Sequence, residues 1–308
     1  MIHIMKIWIL TIGEPIETDQ GNPRLLRSGA LCKHLSKAGH QVTWFNSTFE
    51  HIQKFHRKTV TTEIINKNYK IILLKGTGYK KNISLSRFID HTKLAFEFIK
   101  ISKNLEKPDR ILCSLPPIEL CAAAVQFKLK HKVPIVIDIR DLWPDSFLSI
   151  FPRKIAKYFK FLFFWQYFLL NYSLKNCDGI IGISPKYLSW GEKFQNNMKP
   201  LQKKVIPLGY QLDESNNNAL LKAKMKINNL GIFQSDYIIW YIGSFGKLYD
   251  LKPLIEVAKK MRTKYKNIKF VISGSGEFED KWKREFLKFQ NVYFTGWITK
   301  PEITWFRK

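Results

Sequence analysis

Short apolar runs recur along the chain, separated by stretches of helical length. Residues 6–10 (KIWIL), 41–45 (QVTWF), 70–74 (KIILL), 110–113 (RILC), 133–137 (VPIVI), 179–183 (GIIGI) and 204–206 read as strands. Residues 22–37, 85–105 and 118–130 read as the helices between them. The strand runs are rich in β-branched residues and nearly continuous rather than alternating, which predicts a parallel sheet covered by helices on both faces. The pattern pauses over the polar stretch 209–228. It restarts with strands at 237–242, 268–272 and 291–295, helices at 254–261 and 278–288, and a helix beginning at 300–303. The expected organisation is an α/β chain of two βαβ series, with a first domain over 1–208 and a second over 209–308.

The first βαβ turn carries the earliest candidate chemistry. Residues 11–21 form the loop after the first strand, and Asn22 and Pro23 suit the N-cap and first position of the next helix. Ligands of such units bind at the carboxyl ends of the strands. Gly13 and Glu14 in the loop, with Asn22, Arg24 and Arg27 at the helix start, therefore form a candidate cleft loop. Free N–H groups, the positive end of the helix dipole and two guanidinium groups suit an anion. A structural turn with two solvated arginines accounts for the same residues equally well.

Composition narrows the classes. Hydrophobic residues make up 45% of the 308, enough for real cores. The first apolar run is short and leads straight into a strand, so no secretory leader is expected. Cys32, Cys113, Cys121 and Cys177 lack metal-ligand spacing and read as reduced core thiols, with no metal site. Lys and Arg number 51 against 25 acidic residues, a net charge of +26. Lys, Asn, Ile and Phe are all abundant, as an AT-rich gene would produce, yet the resulting field still favours an anionic membrane or a phosphorylated ligand. Nucleic acid is not expected as a partner, because the basic residues are dispersed and no nucleic-acid motif is present.

One segment points to a membrane. Residues 153–174 (RKIAKYFKFLFFWQYFLLNYSL) mix lysines with many aromatics. The uncharged run between Lys160 and Lys175 is shorter than the ~20 residues that span a bilayer. An interfacial helix is expected instead, with Lys157, Lys160, Phe163, Phe164 and Trp165 touching the surface. Burial of part of this helix against the sheet is the competing reading.

Several motifs in order carry a family resemblance. They are the opening GEP…NPRLLRSGALCKHLSKAGHQVTWF, then DIRDLWPD at 138–145, CDGIIGISP at 177–185 and VIPLG at 205–209. GSFGK at 243–247 follows, with LIEVA at 254–258, then SGSGE at 273–277, and NV…GW at 291–297. With these the chain resembles bacterial family 4 glycosyltransferases of the GT-B fold, especially the fucosamine-transferase-like group that builds surface polysaccharide. The resemblance implies two Rossmann-like domains facing a cleft, with a nucleotide-diphosphate sugar, a UDP-sugar, as donor. It implies a lipid-linked saccharide acceptor, and O-antigen or capsule synthesis at the inner face of the plasma membrane. Hexosyl transfer would retain configuration, with no cofactor.

Residue by residue, Gly243, Gly246 and Lys247 look like the donor-diphosphate loop, and Gly274, Gly276 and Glu277 like the end of the following strand. An ordinary βα turn with a surface lysine is the plain alternative. Arg140 and Asp141 stand where many relatives have His-Asp, and are the catalytic candidates; a salt-bridged strand cap explains Arg140 equally well. Trp143-Pro144 reads as a rigid turn. His51 and His56 read as a solvated helix face rather than acceptor-side ligands. Ser244 and Tyr249 replace the usual Arg and Lys of the donor loop. The family's paired glutamates would fall beyond Lys308, so the resemblance implies an incomplete second domain. A remnant without transfer activity and a sugar-nucleotide epimerase of the same fold are the alternatives.

Overall fold

The computed structural model describes residues 3–20, 23–52, 54–57, 61–148, 152, 157–195, 202–209, 217–246, 249–265, 267–286 and 288–307. The chain divides into two compact units, residues 1–210 and 211–308. The first begins with β1 (Lys6–Leu10), α1 (Arg27–Lys37), β2 (Gln41–Ser47), β3 (Phe49–Glu50), β4 (Phe55–His56), β5 (Thr62–Asn66) and β6 (Tyr69–Leu74). It continues with α2 (Leu85–Ser102), β7 (Arg110–Leu115), α3 (Ile118–His131), β8 (Ile135–Ile139) and α4 (Asp145–Leu148). A 3₁₀ turn (Lys157–Phe163), α5 (Phe164–Asn176), β9 (Gly179–Gly182), α6 (Pro185–Glu192) and β10 (Gln202–Val205) complete it. The second unit contains α7 (Asn217–Asn229), β11 (Tyr237–Ile242), α8 (Lys252–Lys264), β12 (Ile268–Ser273), α9 (Glu279–Phe286), β13 (Val292–Gly296) and α10 (Lys300–Phe306).

The first unit is an eight-stranded sheet in the order β10-β9-β8-β7-β1-β2-β6-β5. All pairs are parallel except β5 with β6. That antiparallel edge corrects the wholly parallel expectation. Residues 62–66 are not a continuous apolar run, because β5 lies at the edge and alternates exposed with half-buried positions. The central strands feed two cores, since successive side chains leave a strand on opposite faces. Along β1, Trp8 and Leu10 join one core and Ile7 and Ile9 the other. The second unit repeats this on a β11-β12-β13 sheet, where Val271 and Ile272 enter different cores. All four cysteines are buried and unbridged.

The region 153–174 is not one helix. Residues 153–156 lie outside the described residues, and the α-helix begins only at Phe164, after the 3₁₀ turn. Phe163 stacks on Phe147, with centroids 5.6 Å apart, and Trp165 meets Phe88 at 5.9 Å. Phe163 therefore packs on the core, which corrects its assignment to a membrane surface, while the half-buried Trp165 also lines an open groove with Phe96 and Phe168. Phe164 does face outward.

The helical layer over the first core holds one polar cluster. His91 of α2, Glu119 of α3 and Gln166 of α5 are all buried. Gln166 Nε2 donates to Glu119 Oε1. Glu119 Oε2 lies 3.9 Å from His91 Nδ1, too far for a hydrogen bond. Neither atom has a partner among the described residues. Burial raises the Glu119 carboxyl to about 7 and lowers the His91 imidazole well below its usual range. The pair is therefore a neutral acid beside a neutral imidazole at moderately acidic pH.

The two groups act on stability with opposite sign. Folded Glu119 keeps a proton that the unfolded chain has lost, so its contribution declines as pH rises from about 4.5 through 7. His91 is neutral when folded and charged when unfolded below about 6.5, so its contribution declines on acidification. Glu119→Gln keeps a neutral amide and removes the ionisation. It is expected to raise thermal stability at pH 8, by up to about 3 kcal/mol, and to change it little at pH 5. Thermal unfolding followed by circular dichroism at both pH values checks this; an equal shift at both would refute the ionisation argument.

Candidate functional site

β1 has β2 on one side and β7 on the other, so the chain's connections diverge there to opposite sides of the sheet. Such switch points open a crevice at the carboxyl ends of the strands. At this one, the Thr11 and Ser114 hydroxyls share a 2.7 Å hydrogen bond, and Ser28 Oγ donates to Thr11 Oγ1. A cavity of about 190 Å³ opens beside them, and Gly13, Glu14, His51, Tyr79, Arg87 and Arg140 are in its wall.

An ion network lies under this wall. Asp138 is wholly buried on β8. Its carboxylate accepts from Arg27 Nε at 2.9 Å and Nη2 at 3.3 Å, and from Arg140 Nε at 2.9 Å. Arg140 also pairs with Glu14 and donates to Ser28 Oγ at 2.8 Å. Burial works against the charge of Arg140, but Glu14 and Asp138 outweigh it and raise the guanidinium pKa. Arg27 also donates to the carbonyls of Ile206 and Pro207, each at 3.0 Å. Two cations thus meet two anions, which is how buried charges are tolerated.

This network changes the reading of the first turn. α1 starts at Arg27, not near residue 22, and Leu26 before it is extended. The Ser28 N–H at the helix start donates to Glu14 Oε2 at 3.2 Å. A side chain of the protein thus occupies the place expected for an anionic ligand, and Arg27 is engaged by Asp138. Arg24 is exposed in the stretch before the helix, and Asn22 lies outside the described residues. Asp141 is committed to its own loop: it accepts from Leu142 N–H, Trp143 Nε1 and Ser146 Oγ at 2.7, 2.9 and 2.6 Å. Of the catalytic candidates, Arg140 reaches the cavity wall as part of the network, and Asp141 does not.

The rest of the wall joins Gly13, expected in the cleft loop, and His51 to Tyr79 and Arg87, which sequence patterning passed over. Gly13 has φ +75°, and a Cβ there would sit 2.8 Å from His51 Cβ, so glycine permits this close approach. The His51 N–H donates to the Gly13 carbonyl at 3.0 Å. His51 is thus drawn into the wall, while His56 is exposed on β4; neither lies on a helix, contrary to expectation. His51 Nδ1 lies 2.7 Å from the Tyr79 hydroxyl and 3.1 Å from Lys54 Nζ. Burial, then Arg87 and Lys54, push the His51 imidazole down to about 3. Burial and then Arg87 lower the Lys54 ammonium to about 8, against a smaller opposing effect of Glu50. The Arg87 guanidinium lies 4.4 Å from the Trp143 ring centroid and 5.2 Å from that of Tyr79. Arg87, Asp90 and His91 are spaced i, i+3, i+4, which puts them on one face of α2. Charged residues on the core-facing side of a helix were the available signal.

In the second unit the glycines let strand-end loops stack. The Gly243 N–H donates to the Ser273 carbonyl, the Phe245 N–H to Ser275 and the Gly274 N–H to Gly296, at 3.0, 3.0 and 2.9 Å. Gly274 has φ +133°, and a Cβ there would fall 1.8 Å from the Gly243 oxygen; one on Gly276 would fall 2.7 Å from Phe245 N. Phe245 itself is core. A Cβ on Gly246 would have no neighbour within 4 Å, and Glu277 is exposed. Lys247 lies outside the described residues.

No family model and no curated protein sequence matches the chain. Solved structures do. HepE from Anabaena, solved with UDP-glucose, is 11% identical with a TM-score of 0.55, over 97% of this chain and 71% of that one. WaaG, a glycosyltransferase involved in lipopolysaccharide biosynthesis, is 14% identical with a TM-score of 0.54, over 96% and 72%. The UDP-forming α,α-trehalose-phosphate synthase from Burkholderia vietnamiensis is 10% identical with a TM-score of 0.61, over 99% and 75%. These neighbours are GT-B glycosyltransferases. At such identities the likeness speaks for architecture alone, and this chain has the GT-B fold.

Proposed function

We propose that this protein is a glycosyltransferase that moves a sugar from a UDP-sugar to a lipid-linked saccharide acceptor in bacterial surface polysaccharide synthesis, as O-antigen or capsule. The observation that carries this reading is the GT-B fold, shared over 97% of the chain with a protein solved with UDP-glucose. Fold alone hosts many chemistries, so the site must supply support. The cavity at the switch point of the first unit, with Arg87, Asp90 and Arg140 in its wall, would take the acceptor. The turn after β11 and the start of α8 would hold the donor diphosphate, where the leaving group gains charge as the glycosidic bond breaks. Since the Gly243 and Phe245 N–H groups are already bonded within the protein, other donors of that turn would take this role, together with Lys247, which lies outside the described residues. Membership of the family 4, fucosamine-transferase-like group and retention of configuration belong to the same proposal.

The lipid-linked acceptor would be met at a membrane surface. Among the described residues no helix is long and apolar enough to cross a membrane. Tyr158, Phe161, Phe164 and Phe168 are each about two-thirds exposed, next to the exposed Lys160. Phe96 of α2 and Phe168 of α5 line one apolar groove. Exposed aromatics beside cations on a protein of charge +26 suit an anionic interface. Lys157 belongs to the same turn, though nothing of its side chain is described.

Two outcomes are expected. Incubation with UDP-sugars and lipid-linked saccharide should release UDP in proportion to glycosylated lipid. An isomerised sugar nucleotide formed without any glycosylated product would identify an epimerase instead and overturn the proposal. In liposome flotation with anionic lipid, replacing Phe161, Phe164 and Phe168 together by Ser should lower binding by at least tenfold. Each inserted ring contributes on the order of 1–2 kcal/mol. Lys160→Glu should weaken both the binding and its dependence on salt. Unchanged flotation in both variants would show that this face does not touch membrane.

A further inference from the structure

We propose that Arg87 and Lys54 form an anion subsite on the cavity of the first unit, which takes a phosphate or diphosphate group. The proposal deepens the transferase reading, on which it rests for what carries the phosphate. Arg87 stands apart from the other arginines of this unit that are not exposed. Arg27, Arg57 and Arg140 are each neutralised, by Asp138, Asp19, and Glu14 with Asp138. Arg87 has no ion pair within 4.0 Å among the described residues, nor has Lys54.

What Arg87 does touch leaves bonding capacity open. Its guanidinium lies against the Trp143 and Tyr79 rings, and Nη1 donates to the Asn82 carbonyl at 2.9 Å. Its Nε–H is buried with no hydrogen-bond partner among the described residues. Lys54 reaches the same cluster, with Nζ donating to Asn82 Oδ1 and lying 4.5 Å from the Tyr79 centroid. Its backbone is in the left-handed region, φ +60°, a conformation costly for a residue with a Cβ. The nearby carboxylates act on these cations from beyond ion-pair distance, Asp141 and Asp90 on Arg87 and Glu50 on Lys54, and direct their hydrogen bonds elsewhere: Asp90 Oδ1 accepts from the Gly78 N–H at 2.7 Å and from Thr77 Oγ1 at 3.3 Å, and Glu50 Oε1 from the Ile52 N–H at 3.0 Å. His51 and His91 add no charge, because burial and Arg87 hold both imidazoles neutral.

A partly desolvated guanidinium in the cavity wall, with the Lys54 ammonium against the wall residues His51 and Tyr79 and no carboxylate within ion-pair distance of either among the described residues, favours an anion in that cavity. A guanidinium with an unused N–H recognises oxyanions through directed bonds, and an ammonium adds a second, less directional charge. The Tyr79 hydroxyl and the Gly13 turn bound a space of about 190 Å³. That size and two cations fit a diphosphate or a phosphate monoester. Such a group comes from two sources: the head of a lipid-linked acceptor, or a free phosphate compound.

Calorimetric titration of the full chain with inorganic pyrophosphate, and separately with farnesyl diphosphate in neutral detergent micelles, tests the subsite. Farnesol serves as the uncharged control. Binding of at least one diphosphate is expected, with Arg87→Leu weakening it tenfold or more, Lys54→Met about threefold to tenfold, and the exposed Lys37→Met not at all. Arg87→Lys keeps the charge but not the fork, and should fall between wild type and Arg87→Leu; with Lys54→Met it carries the test if Arg87→Leu does not fold. Tighter binding of farnesyl diphosphate than of pyrophosphate assigns the subsite to lipid-carried phosphate, and equal or weaker binding assigns it to free phosphate. No binding of either diphosphate, or binding indifferent to Arg87 and Lys54, overturns the proposal. UDP-sugar binding and transfer measured on the same samples are a separate readout. If they persist while diphosphate binding is absent, the subsite fails and the transferase reading stands.

Discussion

Asp138 has no solvent exposure and sits in the middle strand run of a parallel sheet, where an unpaired carboxylate would be untenable. Its two guanidinium partners come from α1 and from the residue after β8, and one of them continues to Glu14 in the loop after β1. The same Glu14 carboxylate caps α1 through Ser28. One electrostatic requirement therefore fixes four things together: the loop after β1, the first turn of α1, the end of β8, and the strand-exit backbone at Ile206 and Pro207. These ion pairs tie the loop and helix beside the cavity at the switch point to the end of the central sheet.

Beyond this balanced network the cavity changes character. On the α2 side the cations have no ion pair within 4.0 Å among the described residues. Arg87 and Lys54 rest on aromatic rings rather than on carboxylates, and the imidazoles around them are kept neutral. Deeper in the same helical layer, Glu119 and His91 meet without a hydrogen bond. Glu119 also borders the apolar groove lined by Phe96 and Phe168, while His91 borders the cavity that Arg87 and Arg140 line. A single pair of neutralised groups thus separates an open apolar groove from the cavity with arginines in its wall. That juxtaposition is the physical ground for reading the first unit as the acceptor side of a transferase acting at a lipid interface.

The second unit is organised by close approach rather than by charge. Its strand ends are stitched by backbone hydrogen bonds that cross between neighbouring loops, and Gly274 and Gly276 are there because a Cβ would enter the space of Gly243 and Phe245. A glycine-rich turn of this kind brings main chain near the exit of the sheet, which is what binding a diphosphate by backbone requires. The same glycines are also needed for packing alone, so glycine spacing by itself does not separate the two roles.

The sequence by itself determined the architecture. Strand runs such as 237–242 and 268–272, and helices such as α2 and α3, were legible because burial on both faces of a parallel sheet leaves a local signature in side-chain type. The edge strand β5 was not, because an exposed edge relaxes that signature. Tertiary structure alone decided how each charge is used. Arg27, Arg87 and Arg140 are indistinguishable as letters in a chain. One anchors a buried aspartate, one is stacked between two aromatic rings, and one links two carboxylates, since their partners come from residues as distant as Asp138, Trp143 and Glu14. For the same reason Phe163 and Phe164, adjacent in the chain, face the core and the solvent respectively. Periodicity is a local property of the chain, whereas electrostatic pairing and facing depend on which segments the fold brings together.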